Sequence, residues 1–452
     1  MPIPLDKAPS DFFRPGQPIH AARAPGRLDV MGGISDYSGG LCLEWPLACA
    51  TYCYLQKSDD GFITVCSGNA ESEGWAPQLR VPATVVHEAS FKASDNARWA
   101  DYAVGCFAVL ARSGKVDAGQ ISGARMFVWS DVPLGGGVSS SASFEVAAMQ
   151  AICGAFGIVL EGVELARLCQ RAENEWVGAP CGIMDQMTVA LGRKGQLLRL
   201  LCQPDLVQGY EELPEGIELF GINSNVKHSV GGAAYGKARC GAFMGRRILH
   251  ELAPRLMQGS DGKEYLANVP SDIWRSLREG VPEEIGGREF LDFYGDHGDD
   301  HTTVDPQVSY RARLAAEHPI YAADRSFRFA RLLQYARMNP GARDSLMEAA
   351  GELMVQSHFS YDHRCGLGSA ETDLLVRLAR EHGLPAGMLG AKITGGGSGG
   401  TVAILADRRR NPRLEATMGY IMETYRDRTG IDPTLLSGSS NGTAATGTEI
   451  IN

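Results

Sequence analysis

Pro133-Leu-Gly-Gly-Gly-Val-Ser-Ser-Ser-Ala142 is the most informative segment of this chain. It follows a β-prone run, Met126-Phe-Val-Trp129, and a helical pattern begins after it at about Ser143. The glycines let the backbone curl without side-chain clashes, and the serines open the helix. Because amide groups and the positive helix end then face one point, we predict a phosphate-binding loop. The alternative is a Gly-rich turn whose serines only cap the helix.

Length and charge restrict what the chain can be. Its 452 residues predict two or three domains, and a content of 44% hydrophobic and 21% charged residues is typical of a folded globular protein. With 43 basic and 53 acidic side chains, the net charge is −10, which argues against nucleic acid or an anionic membrane as a main partner. A negatively charged ligand therefore needs a locally basic or amide-rich pocket.

The eleven cysteines are scattered, and the sequence has no CxxC pair and no HExxH motif. We therefore expect no zinc site, and we interpret the cysteines as reduced, buried thiols of a cytoplasmic protein. The most apolar early stretch, residues 41–55, is short and contains Glu44 and Pro46, so we expect no membrane span. The first residues show no signal-peptide pattern.

Hydrophobic periodicity predicts strands and helices on both sides of the Gly-rich loop. Residues 97–113 and about 161–176 are predicted helices, and a strand-like run ends at Gly221-Ile-Asn-Ser-Asn225, where we divide the chain. Helical patterns return at 324–358, and residues 388–405 predict a strand, a turn and a second strand.

Two segments lack such periodicity. Residues 255–318 are more polar, and we interpret them as an inserted loop or lid region. The segment Ser437-Gly-Ser-Ser-Asn-Gly-Thr443 is predicted to be flexible from its composition.

A second glycine cluster, Gly395-Gly-Gly-Ser-Gly-Gly400, satisfies the pattern GxGxxG. The residues that follow it, Thr401-Val-Ala-Ile-Leu405, favour a strand, whereas a dinucleotide-binding fingerprint requires a helix there. We therefore expect no Rossmann site. The cluster is either a strand-connecting turn or backbone that approaches a ligand at a domain interface.

Several charged residues stand in unusual surroundings. Glu173 lies near the edge of its helix's apolar stripe, where a carboxylate either binds Mg²⁺ or is solvated. Asp185 follows a Pro and a Gly; it is either a helix N-cap or, beside a basic group, an acceptor of a hydroxyl proton. Arg27, Asp29 and Asp36 lie among apolar residues and glycines, which is unusual for a core strand. They are either functional residues or members of a structural ion pair.

Together and in this order, these segments resemble the GHMP kinases and, within them, the galactokinase-like sugar 1-kinases. The matching residues are 26–37 (the galactokinase signature), 133–142 (the phosphate loop), 181–186 (the catalytic aspartate), 223–229 with Tyr235 (a sugar-site stretch) and 392–400 (the third motif). The resemblance implies a two-domain fold, α/β followed by α+β, with the active site in the cleft. We assign residues 1–222 and 223–452 to the two domains, with an inserted region at about 255–318.

The resemblance also implies a role for individual residues. Asp185 becomes the base that ionises the anomeric hydroxyl of a monosaccharide, and Arg27 supports that aspartate and the transferring phosphoryl group. Ser141 and Glu173 become Mg²⁺ ligands, and Trp99 matches the family's adenine-contacting tryptophan. ATP phosphates are expected at Gly135, Gly136, Gly137, Ser139, Ser140 and Ser141, and the sugar at Asp36, Gly33, Ile34, Asp185 and Tyr235.

One departure from the galactokinases bears on the substrate. Galactokinases have Glu-His where this chain has Gly33-Ile34, and in that family both side chains reach the C6 hydroxymethyl group of galactose. L-arabinopyranose lacks that group, so a site without the two polar partners should lose affinity for galactose only. The plant L-arabinokinases resemble this chain here. The resemblance therefore favours an L-arabinose 1-kinase; galactokinase activity, or a non-catalytic sugar sensor, is the alternative.

Overall fold

The computed structural model describes residues 5–88, 91–226 and 231–452. The strands within these residues are β1 (Ile19–Met31), β2 (Leu41–Lys57), β3 (Phe62–Ser67), β4 (Gln78–Pro82), β5 (Ala124–Ser130), β6 (Gln196–Leu201), β7 (Leu206–Glu212), β8 (Ile217–Asn223), β9 (Ile285–Gly286), β10 (Ser309–Tyr310), β11 (Met388–Ile393), β12 (Thr401–Asp407), β13 (Thr434–Ser437) and β14 (Thr448–Ile451). The helices are α1 (Asp101–Arg112), α2 (Ser140–Phe156), α3 (Gly162–Arg171), α4 (Met184–Leu191), α5 (Gly231–Leu252), α6 (Ser271–Leu277), α7 (Gly287–Tyr294), α8 (Ala312–Met338), α9 (Arg343–Ser360), α10 (Ala370–His382), α11 (Leu414–Thr429) and α12 (Thr443–Thr446).

The first sheet has the order β14-β1-β2-β5-β3-β4, and β6 and β7 extend it from the other end of β2. Its pairs are antiparallel except β3 with β5. Alternate residues of the strands point to one face, where they meet apolar residues of α1, α2, α3 and α4 in one buried cluster. This mixed sheet with its four helices is the first domain, and its second helix begins at the phosphate loop.

The second sheet is antiparallel, with the order β11-β12-β8-β13. Helices α10 and α11 cover one face, and α8 and α9 join the other face to β1 and β2 of the first domain in a shared apolar core. The division that we drew between residues 222 and 223 falls inside β8, a strand of this second sheet. The chain later returns to the first domain, because β14 pairs with β1.

The segment 437–443 is ordered, so the prediction of a flexible tail is wrong. The Ser440 hydroxyl donates to the Leu47 carbonyl at 2.7 Å, and the buried Thr443 hydroxyl donates to the Arg23 carbonyl at 3.0 Å. The small polar side chains pair with backbone groups of the first sheet instead of water, which composition alone does not reveal.

Residues 255–318 are also ordered, so the loop interpretation is wrong. They contain α6, α7 and the β9–β10 pair, and Trp274 and Phe290 are fully buried against α5 and α8. Helices of seven and eight residues supply too few apolar positions to give a visible period. We call this packed segment the insert.

Two glycine-rich turns join the domains backbone to backbone. The Thr401 hydroxyl donates to the Gly136 carbonyl at 2.7 Å. A Cβ atom at Gly400 would lie 2.7 Å from that same carbonyl oxygen, and one at Gly395 would lie 2.5 Å from the Gly137 oxygen. Glycine is therefore required for this approach, and β12 begins at Thr401 as predicted, without a dinucleotide-type helix.

All eleven cysteines lie in the described part of the chain and are free thiols. Within the described ranges, no helix combines the length and hydropathy needed to cross a bilayer.

A buried ion pair links the two sheets. Asp29 of β1 and Lys392 of β11 are both fully buried, and Lys392 Nζ lies 2.5 Å from Asp29 Oδ2. Neither charge contacts water, so each depends on the other for its stability in the interior.

We predict that Lys392→Met lowers the free energy of unfolding by about 3–5 kcal/mol, because it leaves Asp29 as an unpaired buried charge. Arg408→Met is the control, since its pairs with Glu218 and Glu415 are partly exposed and should be worth less than about 1 kcal/mol. Urea denaturation at neutral pH measures both. Equal stability of the two variants would contradict the prediction.

Candidate active site

The first turn of α2 has features expected of an anion-binding site. Ser139 precedes it in a left-handed conformation, φ 62°, and its side chain makes no capping hydrogen bond. Its buried hydroxyl oxygen has no partner. Gly135 and Gly137 also have positive φ values, 67° and 68°, which bring successive amides to one side of the loop. The amides at the helix start are left without a side-chain acceptor, which suits a phosphate group.

An apolar cavity of about 410 Å³ opens on one side of the loop. The Trp99 ring stacks on Phe144 with centroids 6.3 Å apart, and its Nε1 donates to the Ala76 carbonyl at 3.0 Å. Trp75 and Asn69 also line this cavity. Flat aromatic walls with a few polar groups suit a planar heterocycle. Sequence reasoning identified Trp99 but missed Asn69, Trp75 and Phe144, which lie well away from Trp99 in the sequence.

A second cavity of about 370 Å³ opens on the other side. Both cavities are lined by Gly135, Ser140 and Ser141, so they meet at the start of α2. The predicted site residues that line the second cavity are Arg27, Ile34, Asp36, Gly135, Gly137, Ser139, Ser140, Ser141, Asp185 and Tyr235.

Arg27 and Asp185 meet in this second cavity. Arg27 Nε and Nη2 donate to Asp185 Oδ1 at 2.9 and 2.7 Å, and Nη1 donates to the Gly137 carbonyl at 2.7 Å. Arg27 is buried, whereas the Asp185 side chain is 25% exposed toward the cavity. Asp185 lies in the first turn of α4 and does not cap it, which removes the N-cap alternative. The Asp185 carboxylate therefore lies at the cavity wall and is paired with the buried Arg27 guanidinium behind it.

Glu44 is a site residue that sequence reasoning missed. It is fully buried, its Oε2 lies 3.3 Å from Arg27 Nε, and neither of its oxygens accepts a hydrogen bond. Burial and then the charge of Asp29 raise its pKa well above the usual range. A single acidic residue inside the apolar β2 sequence was the available signal.

Glu173 and Ser141 come together beside Asp185. Glu173 lies in a π-helical turn, Ala172–Val177, that follows α3 and turns its side chain inward. It is therefore buried, not solvated; Gln186 Nε2 donates to its Oε2 at 2.7 Å, and the Ser141 hydroxyl lies close enough to lower its pKa. Burial and the Asp185 charge raise the pKa of Glu173 to about 7. A cation bound here would offset both effects, so the pair fits Mg²⁺, a hard ion that prefers oxygen ligands.

Asp36 and Tyr235 form the far wall of the second cavity. Asp36 Oδ1 accepts the Tyr37 amide at 2.7 Å, and a Cβ atom at Gly182 would lie 1.6 Å from Asp36 Oδ2. The Tyr235 ring meets the Tyr37 ring edge to face at 6.0 Å. Burial and then the Asp185 charge raise the pKa of Asp36 to about 7.

Gly33 lies behind the wall and does not line the cavity. Its φ is 51°, and a Cβ atom there would lie 1.7 Å from the Tyr361 hydroxyl oxygen. That hydroxyl accepts the Ile34 amide at 3.0 Å and lies 3.1 Å from the Gly395 carbonyl oxygen. Tyr361, which begins a second π-helical turn (Tyr361–Cys365), therefore fills the space beside Gly33.

The structure brings together every predicted site residue except Gly33, which lies behind Ile34, and Gly136, which packs against Thr401. Residues 227–229 of the predicted sugar-site stretch lie outside the described residues. No group of three or more His, Cys, Asp or Glu side chains able to hold a metal occurs among the residues that are described.

Comparison with known protein families gives two matches. The GHMP kinases N terminal domain matches residues 101–193, and the GHMP kinases C terminal domain matches residues 338–420. The chain is 35% identical to an L-arabinokinase of Arabidopsis thaliana over 96% of its own length, but it spans only 47% of that protein. It is 30% identical to a galactokinase of Streptomyces coelicolor over 85% of this chain and 84% of that one.

Solved structures agree on the fold. A Lactococcus lactis galactokinase complexed with galactose superposes with a TM-score of 0.72 at 20% identity, covering 94% of each chain. A mevalonate kinase superposes with a TM-score of 0.55 at 12% identity, over 93% of this chain and 99% of that one. At these identities the likeness concerns the fold alone, and it confirms the predicted two-domain architecture.

The raised pKa of Asp36 predicts how its removal affects stability. Because the folded-state pKa, about 7, exceeds the usual 3.8, stability from this group is present at low pH and is lost as the pH rises through 7. Asp36→Asn, which stays neutral, should therefore match the wild-type free energy of unfolding near pH 4 and exceed it by on the order of 1–3 kcal/mol near pH 8.

Urea denaturation across this pH range is the measurement. Asp59→Asn is the control, because that side chain is 87% exposed, and its effect should not vary with pH in the same way. A difference between Asp36→Asn and wild type that stays constant from pH 4 to pH 8 would contradict the raised pKa.

Proposed function

The chain belongs to the GHMP kinases, and we propose that it is a sugar 1-kinase that transfers the γ-phosphoryl group of ATP to the anomeric hydroxyl of L-arabinose. The products are L-arabinose 1-phosphate and ADP. The observation that carries the proposal is the contact between Arg27 and Asp185 at the wall of the second cavity, which meets the aromatic cavity at the start of α2. Phosphoryl transfer requires this kind of positioning and charge matching more than covalent chemistry.

Asp185 is the proposed base. Its carboxylate accepts the proton of the anomeric hydroxyl as that oxygen attacks the γ-phosphorus. Arg27 holds the carboxylate at the wall of the cavity, and Glu44 lies on the other side of the guanidinium. The hydrogen bond from Arg27 to the Gly137 carbonyl connects the base to the phosphate loop. The same backbone segment therefore helps to position both the sugar hydroxyl and the γ-phosphoryl group.

The nucleotide is proposed to span the two cavities. The adenine ring occupies the space beside Trp99 and Phe144, and residues 135–141 direct their amides at the phosphates. Ser141 and Glu173 would hold Mg²⁺, which neutralises phosphate charge when bound. The fit rests on their mutual contact and on the raised pKa of Glu173, since a carboxylate strained by burial gains from a nearby cation.

The proposed preference for L-arabinose rests on the wall around Ile34. Ile34 is 1% exposed and packs with Tyr361, Leu367 and Ile393 in an apolar cluster. Gly33 offers no side chain, and Tyr361 fills the space beside it. The hydroxymethyl group of galactose would meet no charged or imidazole partner from these two positions, so its hydroxyl would lose water without full compensation.

Galactokinase activity is the second candidate, supported by the 30% identity to the Streptomyces coelicolor protein over most of both chains. A non-catalytic sugar sensor is less well supported, because both Asp185 and Arg27 are present and in contact. We also propose a cytoplasmic location, which the eleven free thiols favour.

Asp185→Asn should lower kcat by roughly 10²–10⁴, because the amide cannot accept the hydroxyl proton. ATP affinity should stay close to that of wild type, since Asp185 is not proposed to bind the nucleotide. Asp432→Asn, an exposed residue, is the control and should keep full activity. ADP release and calorimetry measure the two effects, and a kcat within a few fold of wild type would refute the assignment.

A panel of monosaccharides in a coupled ADP assay tests the substrate. We expect kcat/KM for L-arabinose to exceed that for D-galactose roughly ten- to hundredfold, the cost of one unpaired hydroxyl. A kcat/KM for D-galactose equal to or above that for L-arabinose would contradict the proposed preference and favour galactokinase activity.

Ile34→His tests the same wall from the other side. It restores one polar partner without requiring a side chain at Gly33, whose space Tyr361 occupies. The arabinose-to-galactose ratio should fall, whereas the control Ile34→Val should keep it. Because the ratio is compared within each variant, a general loss of stability does not obscure the result.

A further inference from the structure

Residues 296–302 of the insert form a loop that contacts α5. Arg246 of α5 donates to the His297 and Gly298 carbonyls at 3.2 and 2.9 Å. His297 is 1% exposed and pairs through Nε2 with the Thr302 hydroxyl at 3.1 Å. The Arg246 contacts and the contact between His297 and Thr302 therefore hold this polar loop in place.

Asp299 of this loop forms a buried two-point ion pair with Arg239 of α5. Arg239 Nε and Nη2 donate to Asp299 Oδ2 and Oδ1, each at 2.8 Å, and both side chains are less than 5% exposed. The Thr302 hydroxyl donates to Asp299 Oδ2 at 2.6 Å. A paired, hydrogen-bonded carboxylate of this kind fixes the plane of the guanidinium.

The guanidinium so fixed faces the far wall of the second cavity. Its central carbon lies 5.4 Å from the Tyr37 ring, which in turn contacts Tyr235. Its charge opposes the rise in pKa that burial gives to both Asp36 and Tyr235. Its remaining nitrogen, Nη1, is buried and has no hydrogen-bond partner among the described residues.

A buried donor without a partner is costly, so the orphaned Nη1 needs an explanation. Asp299 already occupies the other two nitrogens. Besides Asp299 and the rings of Tyr37 and Phe243, the described groups that interact with Arg239 include Asp36 and Tyr235. A small adjustment of these two side chains around a bound sugar would give Nη1 an acceptor.

We propose that the insert completes the sugar site: Asp299 fixes Arg239, and Arg239 positions the Asp36 carboxylate and the Tyr235 hydroxyl for hydrogen bonds to the sugar. Arg239 and Asp299 are positioning residues, since neither lines the cavity. This inference rests on the proposed sugar-kinase function. Arg239 and Asp299 lie outside the two segments that match the kinase family, so the inference assigns part of the sugar affinity to a region between them.

Sugar binding by calorimetry is the test, because it does not require turnover. Arg239→Gln and Asp299→Asn should each weaken binding of the preferred sugar roughly ten- to hundredfold, the range for losing one or two polar contacts, while ATP binding changes less than about twofold. Arg239→Lys keeps the charge but not the two-point contact, so it should recover part of the affinity.

The double variant Arg239→Gln with Asp299→Asn removes both buried charges and so guards against misfolding. If the two residues act as one unit, its loss of affinity should match that of a single variant instead of the sum. The matched control is Arg343→Gln with Asp407→Asn, another buried two-point pair at 2.8 and 3.0 Å between α9 and β12. This control should lower the melting temperature but leave the sugar Kd unchanged.

The outcomes separate the inference from the proposed function. Variants at 239 and 299 that melt like the control pair and keep the sugar Kd within about twofold of wild type would overturn the inference. A wild-type chain that binds sugar but releases no ADP would overturn the kinase proposal, and the Kd values would still decide the role of the insert. A wild-type chain that binds no sugar of the panel would overturn both.

Discussion

The close approach of two glycine-rich backbones is the constraint on which the rest of the structure depends. The loop at Gly136 and Gly137 lies so near the turn from Gly395 to Gly400 that side chains would collide with carbonyl oxygens. This contact joins the two domains beside the first turn of α2. The same absence of side chains that lets the domains meet therefore also exposes the amides that a phosphate requires.

Buried charges are arranged around this contact so that each has an opposite neighbour. Arg27 is shared between Asp185 at the cavity wall and Glu44 behind it, while Asp29 pairs with Lys392 from the other domain. In a low-dielectric interior such charges interact strongly, and an unmatched one is costly. The arrangement leaves Asp185 as the carboxylate of this group that reaches solvent. Its exposure on one side suits a proposed base, since the acceptor must meet its substrate.

The sugar side of the site is built from parts that are distant in the chain. Asp36 follows β1, Tyr235 belongs to α5, and Tyr361 starts a π-helical turn after α9. Irregular helical turns recur where a side chain must be aimed at a site, and Glu173 lies in another such turn. The insert supports α5 from behind through Asp299. The sugar specificity that we propose therefore depends on how these distant segments pack together more than on any one sequence motif.

Much of this could be predicted from the sequence, because several determinants are local. The Gly-rich loop that leads into α2, the strand after Gly400 and the charged residues around Arg27 follow from glycine's freedom, from β propensity and from isolated charges in apolar runs. For some of the charged residues, the sequence alone left two interpretations open. Asp185 was either a cap or a base, and Glu173 either solvated or a metal ligand. Tertiary contacts excluded the cap and the solvated carboxylate, and they alone revealed Glu44, because burial and the identity of the opposing charge depend on segments far apart in the chain.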